Sequence, residues 1–138
     1  MDVIVLIGRI LFSVLFLSSA FGHFAQRQTM AGYASSRGVP SSEVAVLASG
    51  VLLALGGLMV LLGIWADLGS LLLVIFLVPT AVLMHGFWRE TDPQARQMET
   101  IQFLKDISLA GAALMLFALF AHTDDLGLTI TGPLFSGM

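Results

Sequence analysis

The sequence contains no cysteine among its 138 residues. Without a thiol group the chain can form no disulfide, no thiolate metal site and no thiol relay of its own. This absence excludes the small four-helix thiol oxidases as a class to which the protein could be assigned.

Charged residues are also scarce. Asp, Glu, Lys and Arg make up 11% of the sequence and hydrophobic residues 57%, whereas about a quarter of an average globular domain is charged. A small soluble domain buries only about two-thirds of the surface that its unfolded chain exposes, so it could not hide this much apolar area. The formal net charge of −3 also lacks the basic excess that nucleic-acid binding needs. The composition therefore predicts a membrane protein that lies in the lipid bilayer and binds no nucleic acid.

Four long apolar runs predict four transmembrane helices. A span needs about 20 apolar residues at roughly 1.5 Å per residue. We therefore predict an all-α fold, a four-transmembrane-helix bundle in up-down-up-down order, as a single integral membrane domain. The predicted spans cover about residues 3–22, 44–65, 68–88 and 103–121.

The segments between and after these runs carry their own signals. Residues 25–36, in the first loop, are expected to form a short helix at the membrane interface. Asp92 and Pro93 predict a helix start, so the fourth helix would begin before the membrane and extend beyond it. Residues 122–138 are expected to form a polar, water-exposed tail.

Arg9 is the one charged residue inside the first apolar run. Because a charged side chain facing lipid is costly, the helix face that carries Arg9 is expected to contact the other helices. Asp67, at the turn between the second and third spans, is a candidate ion-pair partner for Arg9; the alternative is two separately solvated charges. At about 100° per residue, the face of Arg9 also carries Ser13, Phe16, Ala20 and His23.

Small residues are concentrated on the second predicted span and recur on the fourth. They allow helices to approach closely in lipid, where burial of apolar surface gives little driving force. We therefore interpret these positions as helix-packing residues rather than ligand-binding residues. The glycines concerned are Gly50, Gly56, Gly57, Gly63 and Gly111.

The basic residues predict an orientation. Four spans place both termini on one side of the membrane and the first and third loops on the other. Five of the six basic residues belong to that loop side, so the positive-inside rule makes the loop side cytoplasmic. These residues are Arg27, Arg37, Arg89, Arg96 and Lys105.

Several polar side chains are predicted to meet at the loop end of the bundle. They could donate hydrogen bonds to the carbonyl groups of a quinone, or to a similar small lipophilic ligand, whose tail lies in an apolar cleft. The alternative is a hydrogen-bonded plug that ties the helices together. The candidate residues are His23, His85, Trp88, Gln102 and Lys105.

Other kinds of site find little support in the sequence. His23 and His85 have no third ligand spaced nearby on either helix, which disfavours haem and predicts no metal site. No nucleophile has an adjacent base, no phosphate-binding loop occurs, and no span holds a carboxylate pair, so we predict no catalytic residues. Transport is also disfavoured, because the centres of the spans are uncharged.

A series of short motifs resembles the DoxX family over about residues 5–120. The resemblance implies a small four-helix protein of the bacterial inner membrane. The family is named after relatives associated with a thiosulfate:quinone oxidoreductase, and some members are linked to membrane redox complexes. The motifs are Gly8-Arg9-Ile10-Leu11-Phe12, residues 18–24, Gly38-Val39-Pro40, Gly56-Gly57-Leu58 with Gly63, His85-Gly86-Phe87-Trp88, Asp92-Pro93, and Phe103-Leu104-Lys105-Asp106 with Gly111.

Two functions remain open on the sequence. The first, which the resemblance implies, is a redox-associated accessory subunit that binds quinone and works with other membrane or redox subunits. The second is a non-catalytic structural or assembly protein whose Gly- and Ala-rich helix faces pack against other membrane chains or against copies of itself. Both predict a homo- or hetero-oligomer rather than an enzyme that is active on its own.

Overall fold

A computed structural model describes residues 1–123 and 125–137 of the protein. This part of the chain is helical, and no strand occurs in it. Its α-helices are α1 (Asp2–Ala25), α2 (Arg27–Ser36), α3 (Ser42–Leu62), α4 (Ala66–Met84) and α5 (Pro93–His122), with a short 3₁₀ helix at Phe87–Arg89.

Four helices in the described part of the chain are long and apolar enough to cross a membrane, namely α1, α3, α4 together with the 3₁₀ helix, and α5. The predicted all-α fold with four transmembrane helices is therefore confirmed. The segment expected to lie at the interface also forms a helix, α2, between the first two spans.

Local signals explain where the helices begin and end. Asp92 Oδ2 accepts a hydrogen bond from the backbone N–H of Ala95 at 2.9 Å, and Pro93 lies in the first turn of α5. These two residues satisfy or remove donors that a helix start leaves unpaired. At the end of α3, Gly63 adopts a left-handed conformation with φ of 65°, which terminates the helix. Because α5 has 30 residues, it is about 45 Å long and exceeds the hydrocarbon thickness.

The helices pack in chain order. α1 packs against α3, α3 against α4 and α4 against α5, while α2 lies mainly against α3. The side chains of α1, α3, α4 and α5 form one apolar core. The buried residues of α1 are those of the face predicted to contact other helices: Arg9, Ser13, Phe16, Ala20 and His23.

Gly56 and Gly57 lie at close contacts between helices. A Cβ atom at Gly56 would lie 2.8 Å from Leu73 and 2.9 Å from the carbonyl oxygen of Gly69 on α4. A Cβ atom at Gly57 would lie 3.0 Å from Leu17 on α1. Both glycines therefore allow α3 to approach its two neighbours.

The other predicted packing glycines differ among themselves. A Cβ atom at Gly50 would lie 3.0 Å from the ring of Phe24 and 3.1 Å from Cβ of His23, so Gly50 sets the approach of α1. Gly63 ends α3, as described above. Gly111 has no heavy atom within 4 Å of the position a Cβ would take, and it is exposed. Its predicted packing role is not found within this chain, because it lies on the outer face of α5.

Arg9 does not form the predicted ion pair with Asp67. Its guanidinium donates to the carbonyl oxygens of Val60 at 2.9 Å and Leu61 at 2.7 Å, and to that of Leu128 at 3.0 Å. The last carbonyls of a helix lack partners within the helix, and the forked guanidinium can satisfy several of them together. Arg9 is only 2% exposed, so it closes the end of α3 and holds the C-terminal segment there.

Asp67 binds the C-terminal segment instead. Its Oδ2 atom accepts a hydrogen bond from the backbone N–H of Phe135 at 2.7 Å, and the ring of Phe135 packs edge-on against Phe117. The backbone N–H of Ile130 donates to the carbonyl oxygen of Gly63 at 3.0 Å. Residues 125–137, predicted to form a polar, water-exposed tail, fold back over the end of the bundle, where seven of them are exposed and none is buried. Asp124 and Met138 lie outside the described residues.

Candidate ligand-binding cavity

A cavity of about 450 Å³ lies at the end of the bundle that carries the first and third loops. All five α-helices contribute to its wall, and most of the wall is apolar. Its volume lies within the roughly 300–1,000 Å³ that is typical of small-molecule sites. Four ionisable groups other than tyrosine line it: His23, His85, Lys105 and Asp106.

The structure brings three of the five predicted ligand-binding residues to this cavity. His23 on α1, His85 after α4 and Lys105 on α5 line its wall, whereas Gln102 and Trp88 do not. Gln102 contributes indirectly, because its Oε1 atom accepts a hydrogen bond from Lys105 Nζ.

Trp88 belongs to an aromatic cluster beside the cavity. Its ring packs edge-on against Phe87 and Phe103, with centroids 5.2 Å and 5.7 Å away. Edge-to-face packing of this kind stabilises aromatic pairs by about 0.5–1.5 kcal/mol. The indole of Trp88 therefore supports the 3₁₀ helix and α5 and does not line the cavity.

His23 is held in one tautomer by its own helix. Its Nδ1 atom lies 2.8 Å from the carbonyl oxygen of Ser19, and because a carbonyl only accepts, Nδ1 must carry the proton. The ring packs edge-on against Phe76, and the residue is 8% exposed. In the neutral ring Nε2 is then an acceptor, and it bonds to no described residue. His23 therefore offers an acceptor at the cavity wall.

His85 lies between two carboxylates of α5. Its Nδ1 atom is 2.7 Å from Oε2 of Glu99, and its Nε2 atom is 3.8 Å from Oδ2 of Asp106. Since a carboxylate only accepts, Nδ1 donates to Glu99, which fixes the orientation of the ring. Nε2 lies on the side of Asp106, but its distance from Oδ2 is too long for a hydrogen bond.

Glu99 also joins α2 to α5 above the cavity. Its Oε1 atom accepts hydrogen bonds from the hydroxyl of Tyr33 and from Arg37, both at 3.0 Å. Arg37 in turn pairs with Glu90 at 2.7 Å. The hydrogen bond to Tyr33 raises the pKa of Arg37, so its guanidinium stays charged. One carboxylate thus connects the loop helix, the arginine and the cavity histidine.

Lys105 and Asp106 lie side by side on α5. Lys105 Nζ is 3.6 Å from Oδ1 of Asp106. The lysine side chain is nearly half exposed, whereas Asp106 is 5% exposed. The carboxylate is therefore the more deeply buried of the two charges at the cavity.

Four residues of this site were not among the predicted ligand-binding residues: Tyr33, Arg37, Glu99 and Asp106. One signal was present for two of them, because Glu99 and Asp106 are seven residues apart and so share a helix face. Tyr33 on α2 and Arg37, just after its end, are likewise four residues apart. Their meeting with α5 depends on how α2 folds back, which no spacing within one helix predicts.

No group of three His, Cys, Asp or Glu side chains in residues 1–123 and 125–137 is arranged to hold a metal ion.

Comparison with known proteins assigns the family. The model of the DoxX family matches residues 4–86. The chain belongs to the DoxX family. This confirms the resemblance found in the sequence. The chain is also similar to the inner membrane protein YphA of Escherichia coli (strain K12), with 28% identity over 114 residues, which cover 83% of this chain and 81% of YphA. No solved structure gives a significant match.

The DoxX match covers only part of the cavity. Residues 4–86 include His23 and His85, whereas Glu99, Lys105 and Asp106 follow the matched region. The histidines of the site thus belong to the portion that the DoxX family model describes, and its carboxylates lie on the helix beyond it.

Proposed function

We propose that this DoxX-family protein is a membrane-embedded accessory subunit that takes a small lipophilic molecule of the quinone class from the bilayer into its cavity. The proposal includes an association with membrane redox chemistry carried out by other subunits. We also propose that the protein lies in the bacterial inner membrane, in keeping with the name of its Escherichia coli relative.

The observation that carries this proposal is the cavity itself. It combines an apolar wall with ionisable groups from three different segments, His23, His85 and the Lys105–Asp106 pair. Convergent polar groups in an apolar pocket are the usual pattern of a site for an amphipathic small molecule. Ionisable residues within membrane helices are costly and are functional candidates by default.

The glycine contacts favour this proposal over a purely structural role. A scaffold that docks other chains through small residues needs those residues on an outer face. Three of the predicted packing glycines instead contact side chains of the same chain: Gly50 contacts Phe24, Gly56 contacts Leu73 and Gly57 contacts Leu17. Gly111 is the exposed member of the predicted packing set.

The proposal is tested by filling the cavity from α3. Ala45 lines the cavity, and Ala48, less than one turn away, is exposed and does not. The full-length protein is purified in mild detergent from native membranes, and its organic extract is analysed for quinones by mass spectrometry. We expect wild type and Ala48→Phe to retain quinone, and Ala45→Phe to lose at least nine-tenths of it, because a phenyl ring would occupy the space.

A wild-type extract without quinone would contradict the proposal, and so would equal amounts of quinone in the extracts of the two alanine variants. The helical circular dichroism of each variant in detergent verifies that loss of ligand does not follow from loss of fold. If Ala45→Phe does not fold, Ser49→Leu is tested in its place, because it is a smaller change at a second position that lines the cavity.

A further inference from the structure

Asp106 has unused capacity to accept hydrogen bonds. It lines the cavity, is 5% exposed and accepts no hydrogen bond from a described residue. Its nearest cationic groups are Lys105 Nζ at 3.6 Å and His85 Nε2 at 3.8 Å, both beyond hydrogen-bond distance. An ionised carboxylate accepts several hydrogen bonds and donates none. These two ion pairs leave the carboxylate without a hydrogen bond, and a buried acceptor without a donor is costly, so a donor on a ligand would stabilise it.

The two histidines add to this excess of acceptors. Ser19 and Glu99 hold the protons of His23 and His85 on Nδ1, so both Nε2 atoms are acceptors in the neutral rings. A hydroxyl group that lies between Nε2 of His85 and Oδ2 of Asp106 can donate its proton to either acceptor. The 3.8 Å between those two atoms leaves room for an oxygen within about 2.8 Å of each.

Most of the nearby donors are already engaged. Lys105 Nζ donates one of its three N–H groups to Gln102, and the hydroxyl of Tyr33 donates to Glu99. The hydroxyl of Thr80, another lining residue, donates to the carbonyl oxygen of Phe76 at 2.7 Å. A ligand that only accepts hydrogen bonds could bind a remaining N–H group of Lys105, but it would supply no donor to Asp106 or to Nε2 of His23.

We infer that the cavity selects a ligand whose polar head donates hydrogen bonds, so that it binds a lipophilic hydroquinone more tightly than the corresponding quinone. The two hydroxyl groups of a hydroquinone supply protons to acceptors that a quinone's two carbonyl groups cannot satisfy. This inference rests on the proposed function and specifies the form in which the ligand is held. A neutral hydroxyl suits the site better than an ammonium group, because Lys105 already lies beside Asp106.

The test compares ligands of equal shape on the full-length wild-type protein in detergent. A short-chain alkyl hydroquinone, its quinone, its dimethyl ether and an alkyl amine of matched length are titrated anaerobically by isothermal calorimetry. Hydrogen bonds to charged groups are worth about 1.5–3 kcal/mol each. We therefore expect the hydroquinone to bind roughly tenfold to a hundredfold more tightly than the quinone or the dimethyl ether.

A carboxylate exchange identifies the group responsible. Asp106→Asn keeps the size of the side chain but offers an N–H donor, so we expect the preference for hydroquinone over quinone to fall at least tenfold. Glu43→Gln is the matched control, because Glu43 is exposed, and we expect it to leave the ratio unchanged. The ligand series on wild type is decisive even if Asp106→Asn does not fold.

Failure of this inference can be distinguished from failure of the proposed function. If none of the ring compounds binds, the proposed function fails and the inference fails with it. If the quinone or the dimethyl ether binds as tightly as the hydroquinone, or if the amine binds most tightly, the inference is overturned while a cavity that binds lipophilic molecules remains.

Discussion

Gly56 and Gly111 show how differently two glycines of similar helical context can act. Gly56 on α3 faces the backbone of Gly69 on α4, where an added methyl group would lie 2.9 Å from a carbonyl oxygen. Backbone cannot move aside as the end of a flexible side chain can, so the helices would have to separate. Gly111 has open space around it, and there the only cost of glycine is its conformational freedom in the unfolded chain.

These positions give a residue-scale prediction. Gly56→Ala is expected to lower the free energy of unfolding by about 1–3 kcal/mol through overpacking. Gly111→Ala is expected to leave it unchanged or raise it by about 0.5–1 kcal/mol. Unfolding in sodium dodecyl sulfate, followed by circular dichroism from a mild-detergent reference state, measures both. Equal stabilities of the two variants would contradict the close α3–α4 contact.

α2 is the element on which the geometry of the cavity most depends. It carries Tyr33 and lies against α3, with Arg37 just after its end. Both residues reach across to Glu99 on α5, which also orients His85. Two of the three hydrogen bonds to this carboxylate, those from Tyr33 and Arg37, therefore hold the loop helix over the cavity. Because charge-assisted bonds are roughly twice as strong as neutral ones, the charge of Glu99 should matter as much as its shape.

At the element scale we predict that Glu99→Gln loosens α2. The amide keeps the size of the side chain but loses the charge that Arg37 and His85 contact, so about 1.5–3 kcal/mol of stabilisation is lost. Hydrogen–deuterium exchange in detergent should show α2 amides exchanging at least tenfold faster, with α3 and α4 little changed. Glu43→Gln is the control, since Glu43 makes one 3.9 Å pair with Arg27 on the exposed surface. Unaltered exchange of α2 in Glu99→Gln would mean that packing against α3 alone holds it.

At the scale of the whole molecule, the two ends of the bundle differ in charge and in the segments that cover them. One end carries the cavity and most of the basic residues, including Arg37 and Lys105. The other is closed by residues 125–137, which Arg9 and Asp67 hold against the ends of the helices. Between them lies an apolar core to which all four membrane-spanning helices contribute. A polar route from one end to the other is therefore interrupted by this core.

The charge difference between the ends predicts the orientation in the membrane. The positive-inside rule places the cavity end in the cytoplasm and the C-terminal segment outside. A phosphatase reporter fused after Met138 should be active, and a fluorescent protein fused there should be dark. The same reporters inserted between α4 and α5, after Thr91, should behave in the opposite way. Reversed signals at both sites would place the cavity outside.

Much of the fold was predictable, and the site only partly. The spans, the helix start at Asp92 and the buried face of α1 follow from composition and from periodicity within one helix. His23, His85 and Lys105 were predicted at the same end because helix lengths and chain order bring them there. Trp88 was misplaced because an interfacial aromatic residue can turn either toward the cavity or toward its aromatic neighbours. Asp106 was not among the predicted ligand-binding residues, since the sequence does not reveal that it is buried more deeply than Lys105.

The sequence by itself determined that the chain forms four membrane-spanning helices. It also determined at which end of the bundle most basic residues lie and to which family the chain is similar. Those properties depend on run length, residue type and order, which are local and additive. Only the tertiary structure decided which polar groups pair: Arg9 with the carbonyls of α3 instead of Asp67, and Glu99 with both His85 and Arg37. Pairing depends on the rotation and offset of one helix against another, and a difference of one residue in that offset exchanges one set of partners for another.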